Sequence, residues 1–219
     1  MRLFFGLLLT AVAGWVDAIG FLQLGGFYTS FMSGNTTQLG VGLGQVDEAA
    51  IILPLGLVAA FFAGAFTGNL LSLLAGRWCL PAVLGTVSSL LGIAFWFFDQ
   101  GGGLHGPSLI LAGAMGAQNA ALLQVNGVRA GTTYVTGTLF SAGQDLAAAV
   151  LGRGPRWKWL LHLLVWLCLM AGAAGGVVMH GQSSRWALAI PLAAAVLLTG
   201  LALMRKWWES SKTETIHQP

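Results

Sequence analysis

Six stretches of continuous apolar sequence, at 3–23, 49–75, 79–98, 107–125, 157–179 and 185–204, each run for about 20 residues. At 1.5 Å per residue, such a stretch crosses the roughly 30 Å hydrocarbon core of a bilayer as a helix. The rest of the composition agrees. Only 8% of the 219 residues are charged, against about 25% in a soluble domain, which must cover itself with polar surface. Transmembrane barrel strands alternate apolar and polar residues, and these runs do not, so the expected fold is all-α and polytopic. The net charge of +3 does not point to nucleic acid, because the basic residues sit at segment ends and form no stripe interleaved with exposed aromatics. Arg2 followed by Leu3 to Gly14 has the look of a secretory leader. The apolar pattern continues through Trp15 to Leu24, however, and the segment belongs to the repeat described next, so it is read as a retained first span.

Two further stretches, 27–45 and 131–151, are dense in Thr, Ser, Gly, Asn and Gln. Polar backbone survives at membrane depth only where protein or a water-filled cavity surrounds it, so these stretches are expected in the interior. They also align with each other. At a shift of 102 residues, Gly14 pairs with Gly116, Asp17 with Asn119 and Ala18 with Ala120. At 103, Thr29 pairs with Thr132, Ser30 with Thr133, Phe31 with Tyr134, Ser33 with Thr136 and Gly34 with Gly137. Matches at polar and glycine positions are not what two unrelated apolar helices would produce. The expected organisation is therefore a first repeat over 1–100, a Gly-rich linker at 101–106, a second repeat over 107–206 and a cytoplasmic tail at 207–219. Small residues recur every fourth position at Gly56, Ala60, Gly64, Gly68 and Ser72, and again at Cys168, Gly172 and Gly176. Such faces serve close helix packing first and a homodimer seam second.

The basic residues choose between topologies. With eight full spans, seven fall on the cytoplasmic side and three outside. With 27–45 and 131–151 dipping in and returning on the same side, nine fall inside and one outside, which the positive-inside rule prefers. This second arrangement has six transmembrane helices plus two re-entrant or broken helices, and it places the halves in inverted orientation with both termini cytoplasmic. Trp78, Trp96, Trp157, Trp159, Trp186, Trp207 and Trp208 near span ends read as interfacial anchors.

Inverted repeats with interrupted helices are how many transporters and channels hold a solute. The candidate solute-binding residues are therefore Asp17, Ser30, Ser33, Gly34, Asn35, Thr36, Gln118, Asn119, Thr133, Tyr134, Thr136, Gly137 and Thr138. Gly34 and Gly137 would permit a bend, and the hydroxyls and Asn35 would cap a helix start or line a pathway. Equally, these groups would only satisfy one another and the freed backbone. An ionisable residue within a span costs at least about 2.5 kcal/mol on insertion scales. Asp17 is thus expected either to serve proton or cation coupling or to pin the adjacent Gly-rich turn. Asp145 is expected to pair with the Arg153 to Lys158 cluster, and His162 and Asn69 to be packed and satisfied. No signature of a hydrolase, metalloprotease, P-loop or dinucleotide enzyme occurs, and no cofactor or metal is expected. Cys79 and Cys168 form no motif. The Asn35-Thr36-Thr37 sequon lies at membrane depth.

Four motifs in order, Gly14-Trp15-Val16-Asp17-Ala18-Ile19-Gly20-Phe21, Phe31-Met32-Ser33-Gly34-Asn35-Thr36-Thr37, Gly116-Ala117-Gln118-Asn119-Ala120 and Thr132-Thr133-Tyr134-Val135-Thr136-Gly137-Thr138-Leu139, resemble the YoaK-like family. Its members are bacterial inner-membrane proteins carrying a domain of unknown function. The resemblance covers nearly the whole chain and implies a plasma-membrane location, with no activity. The expected partners are the lipid bilayer, a small-molecule solute and a second copy of the chain. A non-transporting scaffold or sensor that works through helix pairing is the alternative to transport.

Overall fold

The computed structural model describes residues 2–98, 106–121, 135–183 and 185–216. All regular structure in them is helical: α1 (Arg2–Gln23), α2 (Met32–Gln45), α3 (Glu48–Leu74), α4 (Cys79–Phe97), α5 (Gly106–Gln118), α6 (Val135–Val150), α7 (Lys158–Gln182) and α8 (Ala189–Ile216). Five segments, within α1, α3, α7 and, with the 3₁₀ turns that precede them, α4 and α8, are long and apolar enough to cross a membrane. The expected span at 107–125 is not among them. α5 stops at Gln118, and 122–125 lie outside the described residues. Thirteen residues reach only about 20 Å. Nine residues of α5, from Pro107 to Gln118, are buried, so protein surrounds it and its length need not match the lipid. α8 runs on through 207–216, within the stretch expected as a tail. Arg205 and Lys206 both bond Glu209 one turn on, at 2.8 and 2.6 Å, which favours continued helix.

The small-residue faces set the packing. On α3, a Cβ at Gly64 would run into the Gly113 carbonyl and one at Gly68 would sit 2.8 Å from the Ala117 oxygen. On α7, Gly172 lies against the Ala11 carbonyl, and a Cβ at Gly176 would sit 2.7 Å from the Trp15 oxygen. Backbones in such contact exclude any larger residue. Both contacts advance in register, so α3 runs parallel to α5 and α7 parallel to α1. α1 opposes α5: Leu24 packs with Ala112 and Leu57, whereas the Gln118 amide donates to the Leu9 carbonyl at 2.9 Å. One cluster gathers the starts of α1 and α4 with the middle of α8, through Phe5, Leu9, Leu84, Leu198 and Ala202, and Ala121 joins it from beyond α5. Near the opposite end the Trp15 indole donates to the Ala187 carbonyl at 2.7 Å, and Arg185 lies over the Phe95 ring.

The outward faces are apolar. Ile52, Phe62, Phe66, Leu70 and Leu73 of α3, and Val196, Leu197 and Met204 of α8, are exposed, as suits a lipid-facing surface. Trp96, Trp157, Trp186, Trp207 and Trp208 are exposed near helix ends, where their rings suit the headgroup region.

Candidate functional site

The chain leaves α1 through Gly25 and Gly26, whose φ of 65° and 110° a side chain would resist. It then returns to α1 as an extended lead-in to α2. Two polar side chains fix that lead-in. Asp17 Oδ1 accepts the Thr29 and Ser30 N–H groups at 2.9 and 2.7 Å, and the Thr29 hydroxyl lies between it (3.4 Å) and the Val16 carbonyl (3.3 Å). Asn35, fully buried, clasps Tyr28 from the other side: its Oδ1 accepts the Tyr28 N–H at 2.9 Å and its Nδ2 donates to the Tyr28 carbonyl at 2.6 Å. The backbone groups freed before the helix are thus satisfied by side chains, as burial demands. Asn35 does not cap α2. Its amide reaches back past Phe31, where the helix has no side-chain cap.

Gly34 and Gly137 are not bend points. Each is the third residue of its helix, and neither has a positive φ. Gly34 is small because a Cβ there would press into the Phe31 ring at 2.6 Å. Phe31 in turn packs edge-on against Tyr28. A Cβ at Gly137 would meet open space.

That space belongs to a partly open cavity of about 140 Å³ between the starts of α2 and α6, at which Phe31, Ser33, Thr136 and Gly137 are exposed. Ser30, Phe31, Met32 and Ser33 line it from the first half of the chain, Val135, Thr136 and Gly137 from the second, and Phe61 of α3 closes one wall. An engineered apolar cavity of about 150 Å³ holds benzene, so a solute of about six heavy atoms fits. No charged side chain lines it among the described residues.

Of the sequence-derived candidates, Ser30, Ser33, Thr136 and Gly137 meet at the cavity, while Asp17, Gly34 and Asn35 shape its first lip. The others lie elsewhere. Thr36 is exposed and bonds its own helix at Met32 (2.7 Å), a back-bond common for hydroxyls within helices. Gln118 ties α5 to α1 as described, and the Asn119 amide returns to the Met115 carbonyl at 3.0 Å. Thr138 is buried and does not line the cavity. Thr133 and Tyr134 lie outside the described residues. Phe61 and Val135 are lining residues that hydropathy alone did not separate from lipid-facing ones.

A second polar cluster joins α6 to α7. Asp145 pairs with Lys158 at 3.3 Å, as its position suggested, and its other oxygen meets His162 Nε2 at 3.1 Å. His162 is therefore not an isolated, merely packed residue. Asn69, by contrast, bonds its own helix at Ala65.

Residues 5–201 match the family described as protein of unknown function (DUF1275). Among relatives, the chain is 38% identical over 198 residues to UPF0700 transmembrane protein RA0705 of Rhizobium meliloti (strain 1021), covering 90% of this chain and 84% of that protein. It is 26% identical over 146 residues to UPF0700 transmembrane protein YoaK of Bacillus subtilis (strain 168), covering 64% of this chain and 65% of that one. No solved structure matches the chain.

Proposed function

The chain belongs to the YoaK-like DUF1275 family of transmembrane proteins, and from the geometry of this cavity we propose that it is a transporter or channel for a small, uncharged polar solute. One observation carries this reading: the two polar elements, about a hundred residues apart in sequence, line one cavity, with Ser30, Ser33 and Thr136 among its residues, and leave room for a solute. The ring faces of Phe31 and Phe61 would take the apolar part of such a molecule, and the hydroxyls would fix its polar groups.

The pathway would run between two inverted halves, the first with three spanning segments and re-entrant α2, the second with two spanning segments, the short buried α5 and re-entrant α6. The packing supports this. Gly64 and Gly68 approach Gly113 and Ala117, and Gly172 and Gly176 approach Ala11 and Trp15. The first helices correspond at 102 residues and the third at 108. Gly116 on the Phe61 carbonyl and Gly14 on that of Leu169 repeat the same offsets. The antiparallel course of α1 and α5 supports inversion, whereas eight full spans would run them parallel. Arg2, Arg77, Arg153, Arg156, Lys158, Arg205 and Lys206 gather at the end where α1, α4 and α7 begin and α8 leaves the bundle. Arg185 is at the other. We assign the first end to the cytoplasm of a bacterial inner membrane, with both termini there.

Asp17 has a defined place in this reading. Its Oδ1 is committed to backbone N–H groups, so we assign it the task of holding the cavity lip, ahead of proton or cation coupling. The alternative, a scaffold that pairs through its small-residue faces, draws on ladders that α5 and α1 already fill.

Filling the cavity tests the proposal. Gly137→Leu adds a side chain where a Cβ meets nothing, so the fold should survive. In liposomes swelling in an osmotic gradient of a neutral solute such as urea or glycerol, the protein should accelerate entry, and Gly137→Leu should reduce that entry at least about tenfold, the effect of 1.4 kcal/mol on a barrier. Equal entry with the variant would remove the cavity from the pathway.

A further inference from the structure

We infer that Asp145, His162 and Lys158 form a proton-binding site that sets how firmly α6, one wall of the cavity, is seated on α7. The inference rests on α6 lining the cavity and goes beyond the transport reading.

The geometry fixes where the proton goes. Lys158 Nζ stands 3.3 Å from one carboxylate oxygen of Asp145 and His162 Nε2 stands 3.1 Å from the other. An ionised carboxylate only accepts hydrogen bonds, so Nε2 carries the hydrogen. The proton that comes and goes is therefore the one on Nδ1. That atom is buried and has no protein partner among the described residues, in a side chain only 7% exposed. Protonation there turns a neutral donor to Asp145 into a cationic one, and a charge-assisted bond is roughly twice as strong as a neutral one. Acid thus tightens α6 against α7 while Asp145 stays ionised, and alkali loosens it, leaving the half-exposed Lys158 as the remaining cationic partner.

Among the described residues, the charges around the imidazole are few. α6 contributes Asp145 alone. The turn between α6 and α7 carries Arg153 and Arg156, and α7 itself Lys158. α1, packed in parallel, has Arg2 at this end, while its Asp17 is several turns away and held by Thr29 and Ser30. α8 reaches α7 through Trp186–Leu188, at the far end of α7. Histidine is the side chain whose ordinary range of charge change falls between about pH 5 and 8, and His162 is the one histidine of this set.

The test compares two cysteines in the full chain in liposomes, with Cys79 and Cys168 replaced by alanine. Thr136→Cys reports on α6 and Ser33→Cys on α2, both at the cavity. Maleimide labelling is followed from pH 8 to pH 5.5, and the ratio of the two rates cancels the titration of the thiol itself. The ratio should fall about fivefold on acidification, the factor that about 1 kcal/mol makes. It should stay flat in His162→Gln, whose amide still donates to Asp145 but does not titrate. A flat ratio in the unsubstituted background overturns the inference, as does the same fall in His162→Gln. The comparison within one fully folded background keeps the test valid if His162→Gln folds poorly.

Discussion

The seam between α2 and α3 and the seam between α6 and α7 each join a short helix to the long helix that follows it, by different physics. In the first, Gly42 rests on Ala50 so closely that an added Cβ would lie 2.9 Å from the Ala50 carbonyl oxygen. At the offsets read from the glycine contacts and the sequence repeat, the corresponding positions in the second are Asp145 and Lys158, and Pro54 corresponds to His162. One seam is a van der Waals contact, indifferent to pH and salt and intolerant of volume. The other is an ion pair with a titratable neighbour, tolerant of volume and sensitive to both. Of two short helices each seated on the long helix that follows it, only one thus carries charge at its seam.

Substitutions sharpen that contrast. The largest effect is expected from Gly42→Val, which forces backbone apart where nothing flexible can yield. It should cost about 3 kcal/mol, read as a lower midpoint of thermal unfolding in detergent and unaltered by added salt. Asp145→Ala should cost less, about 1 to 2 kcal/mol, between the values for exposed and buried pairs, because Lys158 is 39% exposed and shares its interaction with water. Here the loss should shrink as ionic strength rises. If Asp145→Ala proves the costlier or its loss ignores salt, the ionic description of the second seam is wrong. The smallest effect concerns how the two short helices end. α2 is followed by Val46 at φ 55°, α6 by Gly152 at φ 67°. Only the second residue suits the left-handed region, so Val46→Gly should raise stability by about 1 kcal/mol, seen as a higher unfolding midpoint.

Much of the architecture was legible because lipid imposes a length and a composition on each spanning segment. α5 escaped that rule. Its apolar run continues past Gln118, and nothing in hydropathy marks a helix that ends early because protein covers it. The polar residues told which segments face inward but not which would remain available to a solute. Asp17 and Asn35 have the chemistry of ligands and are occupied by the backbone of Tyr28, Thr29 and Ser30, a use that depends on how the chain doubles back at Gly25 and Gly26. Phe61 carries no polar signal at all. Its role at the cavity follows from the parallel contact of α3 with α5, a tertiary fact. His162 looked solitary because its partner sits 17 residues away on another helix.

The exchanged packing has a consequence for the chain as a whole. α1 finds its closest neighbour in α7, and α5 finds its own in α3, so the first helix of each half is completed by the third helix of the other. Neither half owns the groove it needs. Severed within 99–105, the pieces would be two incomplete proteins that regain their interior only by meeting.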